Sequence, residues 1–217
     1  MADLIRGLRP ERVRKSLEHV RAEIEAAGRG PDEVQILAAV KYVAPEPLTV
    51  LAEAGIELLG ENRAQELAAK AGAHPGAFTW DFIGQLQSRK VRDVLPHVRY
   101  IHSVASDSVL RQLSRHATAT TEVLVEINVA GEAGKSGIRP SELASFLDRC
   151  PVKVVGLMTM PPPATDPEAS RPHFAALREL ASEHGLVHLS MGTSQDYVVA
   201  VEEGATIVRL GRVLFDP

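Results

Sequence analysis

The chain has 217 residues, 45% of them hydrophobic and 24% charged, with a formal net charge of −4. That size and composition suit one α/β domain with a full core. The acidic balance excludes a general nucleic-acid or membrane-surface binder, which needs a basic face. The single cysteine, Cys150, excludes an internal disulfide and fits a reducing compartment; a structural thiol is expected there. The N-terminus lacks an apolar signal core, and no apolar run is long enough to span a bilayer. A cytoplasmic protein with no membrane or nucleic-acid partner is expected.

The stretch 9–27 places Val13, Leu17, Val20 and Ile24 at helical spacing, and Gly28 and Gly30 stop it. Short apolar runs then alternate with helical stretches. Strands are expected at 34–40, 56–59, 80–83, 100–104, 122–128, 154–158, 187–190 and 206–210, with helices between, such as 45–54 and 107–116. Eight such strands predict a parallel sheet closed into a (β/α)8 barrel with an extra N-terminal helix. An open doubly wound sheet is the alternative. With no linker or shift in composition, residues 1–217 read as a single domain. Pro161-Pro162-Pro163 reads as a stiff loop after the sixth strand.

Barrel chemistry sits at the C-terminal ends of the strands. Lys41 follows the apolar run Ile36-Leu37-Ala38-Ala39-Val40. It either snorkels at the rim or is desolvated, its amine then free to attack a carbonyl. Ser190-Met191-Gly192-Thr193-Ser194 follows the seventh strand and Gly211 the eighth. Hydroxyls and backbone N–H groups there form an anion cup or a plain helix cap. Arg209 interrupts Ile207-Val208-Arg209-Leu210. Its charge must find an acceptor, either a barrel carboxylate such as Glu126 or a ring nitrogen of a ligand. An amine, a phosphate cup and a cation match the aldehyde, phosphate and pyridine nitrogen of pyridoxal 5′-phosphate.

The sequence resembles the pyridoxal-phosphate homeostasis proteins, which look like the N-terminal barrel of alanine racemase standing alone. The resemblance runs along essentially the whole chain. It is carried by Leu37-Ala38-Ala39-Val40-Lys41, Gly60-Glu61-Asn62-Arg63, Trp80-Asp81-Phe82-Ile83-Gly84-Gln85, Ile101-His102-Ser103, Lys135-Ser136-Gly137, Gly156-Leu157-Met158-Thr159, Ser190-Met191-Gly192-Thr193-Ser194 and Val208-Arg209-Leu210-Gly211-Arg212. It implies pyridoxal phosphate held as an internal aldimine on Lys41, with Ser190, Gly192, Thr193, Ser194, Gly211 and Arg212 around the phosphate. It also implies Arg209 at the pyridine nitrogen and Asn62 and Met158 along the ring. The sequence departs from the pattern at Val40, where serine or threonine is usual, at Gln85, often histidine, and at Thr193, often methionine.

A cation at the pyridine nitrogen discourages ring protonation, so the ring is a poor electron sink. The chain as read stops soon after the eighth strand and is expected to lack the second domain from which alanine racemase takes a tyrosine. Tyr42 is expected to point away from Lys41 by strand alternation. A monomeric carrier serving cofactor storage, buffering or delivery, and amino-acid and keto-acid balance, is therefore expected rather than a strong catalyst. Apo-enzymes are its expected partners, and a weak racemase or other barrel enzyme is the alternative. Lys135 is either a solvated loop lysine or a second amine acceptor over the mouth. Other classes are a nucleotide binder, because Gly134-Lys135-Ser136 mimics part of a P-loop, a barrel enzyme using His102 or His188 as base, and a pure interaction protein. No metal-ligand spacing is present.

Overall fold

The computed structural model describes residues 4–30 and 32–215. The segment read for a signal core begins in residues 1–3, outside the described residues. Eight parallel strands pair in chain order and close into a barrel: β1 Gln35–Ala39, β2 Leu58–Glu61, β3 Thr79–Phe82, β4 Tyr100–Val104, β5 Glu122–Glu126, β6 Lys153–Met158, β7 His188–Thr193 and β8 Ile207–Leu210. Around them, among the described residues, run α1 Pro10–Ala26, α2 Leu48–Glu53, α3 Ala64–Ala73, α4 Val91–Val94, α5 Asp107–His116, α6 Leu143–Arg149, α7 Arg171–Glu183, α8 Tyr197–Glu202 and α9 Arg212–Phe215. The (β/α)8 barrel predicted from the alternation is the architecture; the sheet is closed, so the doubly wound alternative falls.

The strands read as continuous apolar runs because helices cover the outer face while side chains fill the inner one. All four residues of β8 are buried, as are the last four of β5. α1 begins with Pro10 at its first turn, where the missing N–H costs nothing. Its buried face is Val13, Leu17, Val20 and Ile24. The helix after β8 is a single turn, and α1 packs against α2, α8 and α9, filling the gap that α9 leaves in the outer ring. Ahead of α1, Ile5 N donates to Tyr42 O at 2.7 Å and Ile5 O accepts from Ala44 N at 3.0 Å. This pairing brings the N-terminal segment to the mouth where β1 ends.

Two strand ends differ from expectation. β1 stops at Ala39, and Val43 N donates back to Val40 O at 3.0 Å, so Lys41 and Tyr42 stand on a turn. β7 continues to Thr193, three residues past the expected 190. It contains a bulge, since Ser190 pairs with Ile207 but Thr193 with Arg209. Gly192 supplies the bulge with φ +89, a left-handed conformation that glycine adopts without a Cβ penalty. A Cβ there would also lie 2.6 Å from Ala200 Cβ.

Candidate functional site

A cavity of about 960 Å³ opens at the C-terminal mouth of the barrel. Lys41, on the turn after β1, stands in its wall, half-buried, with Nζ 5.0 Å from the centre of the Tyr42 ring. This decides between two alternatives for Lys41 and corrects one expectation for Tyr42. Partial exposure puts Lys41 at the rim, not in a desolvated pocket. Tyr42 shares the cavity with Lys41 because strand alternation has already ended at Ala39.

Lys41, Lys135, Arg209 and Arg212 all line this cavity. Lys135 pairs with Glu132, whereas the other three form no ion pair among the described residues. Arg209 is 5% exposed. It donates to Ser190 O and Ser190 Oγ, both at 2.6 Å, and to Thr159 O at 2.8 Å. Burial lowers its pKa to about 10, against the opposing pull of Asp196 and Glu126. The Glu126 salt bridge weighed for it is absent among the described residues, and Glu126 instead accepts from Ser136 Oγ at 2.5 Å.

Burial pushes the Glu126 carboxyl above its ordinary value of 4.5, although Ser136 and Arg209 work the other way. A carboxyl raised on folding stabilises the fold fully below its unfolded pKa and loses that contribution as pH rises through the folded one. Glu126→Gln is therefore expected to match the parent protein in acid and to be more stable above about pH 5, the gap widening until the folded pKa is passed. Urea unfolding at several pH values measures it. A gap that shrinks with rising pH would contradict the assignment.

The loops after β7 and β8 bring together Thr193, Ser194, Gly211 and Arg212, all at the cavity. Thr193 N and Oγ1 donate to Asp196 Oδ1 at 2.7 and 3.0 Å. Ser194 Oγ accepts from Gly211 N at 3.2 Å and Val213 N at 3.3 Å, which ties the two loops together. The Ser194 hydroxyl hydrogen and the Arg212 guanidinium have no partner among the described residues. Ser190 and Gly192 do not line the cavity. Because β7 runs on to Thr193, Ser190 is an interior strand residue, fully buried and bonded to Arg209 and His102. Gly192 faces α8.

Asn62 and Met158 line the opposite parts of the wall. Asn62 Oδ1 is buried without a partner among the described residues, an acceptor that a ligand donor would satisfy. Its backbone is fixed from below, because Glu61 Oε1 accepts from Asn62 N at 2.7 Å and Arg63 N at 3.2 Å. Glu61 Oε2 in turn accepts from Lys70 Nζ at 2.6 Å, and Lys70 Nζ also donates to Val40 O at 2.7 Å. One buried lysine on α3 thus holds the residues preceding both Lys41 and Asn62. Gly84 packs against Asn62, and a Cβ there would overlap its carbonyl oxygen and lie 2.6 Å from its Cα. Gly84→Ala is expected to cost about 1–3 kcal/mol in urea unfolding, typical of overpacking. An unchanged midpoint would mean that this contact yields freely.

The other sequence readings find little support. Gly134-Lys135-Ser136 lies in a loop with Gly134 at φ +80, and no α-helix starts until Leu143. His188 packs against Tyr100 with ring centres 5.6 Å apart and planes tilted by 44°, at the opposite end of the barrel from the cavity. His102 is buried in the barrel interior, away from the cavity wall. No group of three or more His, Cys, Asp or Glu among the described residues could hold a metal ion.

No protein-family model matches the chain. A pyridoxal phosphate homeostasis protein of Aquifex aeolicus is 41% identical to it, over 94% of this chain and 96% of the relative. The chain belongs to the pyridoxal phosphate homeostasis protein family. Among solved structures, PipY of Synechococcus elongatus with PLP bound is 30% identical to this homeostasis-family chain. It covers 94% of this chain and 99% of its own, with a TM-score of 0.79. A lysine/ornithine decarboxylase of Vibrio vulnificus, 17% identical, covers 95% of this family member and 62% of its own chain with a TM-score of 0.71, a likeness of fold alone.

Proposed function

We propose that the mouth cavity holds pyridoxal 5′-phosphate, bonded covalently to Lys41, and that the protein stores, buffers or delivers this cofactor and so affects amino-acid and keto-acid balance. The observation that carries the reading is electrostatic. In a chain of net charge −4, one cavity gathers three cations without ion pairs among the described residues, Lys41, Arg209 and Arg212, and its wall carboxyl Glu126 is pushed toward neutrality. A dianionic phosphate ester satisfies that excess. The PLP-bound relative supports the choice of ester.

The residues fit the group. Ser194, Gly211, Arg212 and Thr193 would face the phosphate, Asn62 Oδ1 and Met158 the ring, and Arg209 the pyridine nitrogen. The cofactor supplies an aldehyde carbon that exchanges between amines. The chain's residues supply one tethering amine, and Arg209 presents a positive charge that discourages ring protonation, which leaves the ring a poorer electron sink than an aspartate partner would. Lys135, on the rim and paired to Glu132, would serve as a second amine. The reading takes the protein as a cytoplasmic monomer that serves apo-enzymes; no helix among the described residues is long and apolar enough to cross a membrane.

A weak racemase is the second reading, favoured by Tyr42 beside Lys41, since racemisation needs acid/base groups on two faces. One experiment separates them. Loaded protein is mixed with an apo-enzyme and, separately, with single-enantiomer amino acids. The carrier reading expects the apo-enzyme to gain activity and no multiple-turnover racemisation. Turnover that is lost in both Lys41→Ala and Tyr42→Phe would establish the racemase instead.

A further inference from the structure

Beneath the cavity a line of buried polar side chains crosses the barrel. Asp81, His102 and Ser190 are fully buried and Arg209 nearly so. They come from β3, β4, β7 and β8. Asp81 Oδ2 lies 3.0 Å from His102 Nε2, His102 Nδ1 lies 2.8 Å from Ser190 Oγ, and Arg209 Nη1 lies 2.6 Å from the same Oγ. The His102–Ser190 bond joins strands that are not neighbours in the sheet, so it runs through the interior. Beyond Asp81, toward the N-terminal end of the strands, Arg99 grips the same carboxylate with Nη2 at 2.7 Å and Nε at 3.1 Å. Arg99 also reaches Gln35 Oε1 at 2.9 Å.

With a neutral imidazole, the hydrogens in this line follow from the groups at its two ends. A guanidinium only donates, so Ser190 Oγ accepts from Arg209. The Asp81 carboxylate only accepts, so a neutral His102 ring keeps its hydrogen on Nε2 and leaves Nδ1 bare to take the Ser190 hydroxyl hydrogen. The ring hydrogen sits on Nε2 and is donated to the Asp81 carboxylate. Every bond points the same way, from cation to anion, and bonds so aligned polarise one another. The ionisation states agree. Burial lowers the His102 pKa, with the nearby Asp81 opposing, which keeps the ring neutral. For Asp81 burial acts upward, but His102 and Arg99 outweigh it and hold the carboxyl below its ordinary range.

We propose that Asp81, His102 and Ser190 form a one-way hydrogen-bonded relay that positions Arg209 at the cavity floor, anchored at its far end by the Asp81–Arg99 ion pair. The inference rests on the cofactor reading above. It explains how a buried guanidinium is held in one place with only neutral groups in direct contact, since Asp196 and Glu126 act on its charge without bonding to it. It also gives Ser190 a task that its distance from the cavity wall would otherwise leave unexplained. Asp81, His102 and Ser190 are positioning residues, and they act on the cofactor only through Arg209.

Two measurements test it. In cofactor-free protein labelled with ¹⁵N-histidine, His102 is expected to show a bare Nδ1 and a protonated Nε2 across the neutral range. A protonated Nδ1, or a ring that titrates there, would overturn the relay. In protein loaded with pyridoxal phosphate, Ser190→Ala and Asp81→Asn are expected to keep the borohydride-reducible band on Lys41 but move its absorbance maximum, because the charge facing the ring has shifted. The same maximum in correctly folded variants, checked by circular dichroism, would overturn the role. A wild-type protein that forms no reducible band would sink the cofactor reading and the relay's task with it, a result distinct from an unmoved maximum. If Asp81→Asn fails to fold, Ser190→Ala, which removes one oxygen, decides the matter.

Discussion

Lys70→Met is expected to cost the fold about 3–5 kcal/mol, the usual loss when one member of a buried ion pair is removed. Lys70 and Glu61 are 1% and 0% exposed. Without the ammonium, Glu61 keeps its backbone donors Asn62 N and Arg63 N, but two hydrogen bonds do not replace the cation 2.6 Å away. Val40 O loses its donor as well. Adding Glu61→Gln to Lys70→Met is expected to restore much of the loss, because the uncompensated charge goes while the acceptor oxygen stays. Urea unfolding of the two single variants and the double variant measures the coupling. Additive costs would show that the pair does not act as a unit. Since Lys70 fastens the residues before Lys41 and Asn62, cofactor retention should fall along with stability.

Lys41→Ala is expected to abolish covalent cofactor and weaken binding by at least about a hundredfold, or ~2.7 kcal/mol. Arg209, Arg212 and Ser194 remain, so residual salt-sensitive binding of the phosphate should persist. Lys41→Arg separates charge from chemistry. It keeps a cation at the rim but offers no nucleophilic amine, so it should bind more tightly than Lys41→Ala and still show nothing reducible by borohydride. Equilibrium dialysis at two salt concentrations, with absorbance spectra, distinguishes the variants. A reducible band that survives in Lys41→Ala would place the bond on another lysine.

The barrel was legible because each buried parallel strand leaves the same mark, a short apolar run with a polar residue at its C-terminal end, and eight such runs in alternation with helices admit few architectures. Lys41, Arg209 and Asn62 were legible as cavity-lining residues for the same reason, standing where such strands end or are interrupted. The errors came where the backbone leaves regular geometry. The β7 bulge at Gly192 extends the strand, so Ser190, expected at the phosphate, lies inside the barrel, and Gly192 turns to α8. The turn after Ala39 carries Tyr42 to Lys41's side. Alternation arguments hold only while the strand lasts, and one sequence does not mark where it stops.

A second group of residues was missed although its signal was present. Asp81 sits in Trp80-Asp81-Phe82-Ile83 and Glu61 ends Leu58-Leu59-Gly60-Glu61, each a carboxylate in a buried strand. Buried carboxylates need partners, and the rule applied to Arg209 would have flagged both. Their partners were beyond reach, because Lys70 looks like an ordinary helix-surface lysine among Ala68, Ala69 and Ala71. Only closure of the barrel brings His102 to Ser190 across 88 residues of sequence.

The measurement closest to the central claim is borohydride reduction of the protein loaded with pyridoxal phosphate, followed by peptide mass mapping. The account predicts one pyridoxyl adduct per chain, on the peptide that contains Lys41. An adduct spread over surface lysines, or no adduct at all, would contradict it.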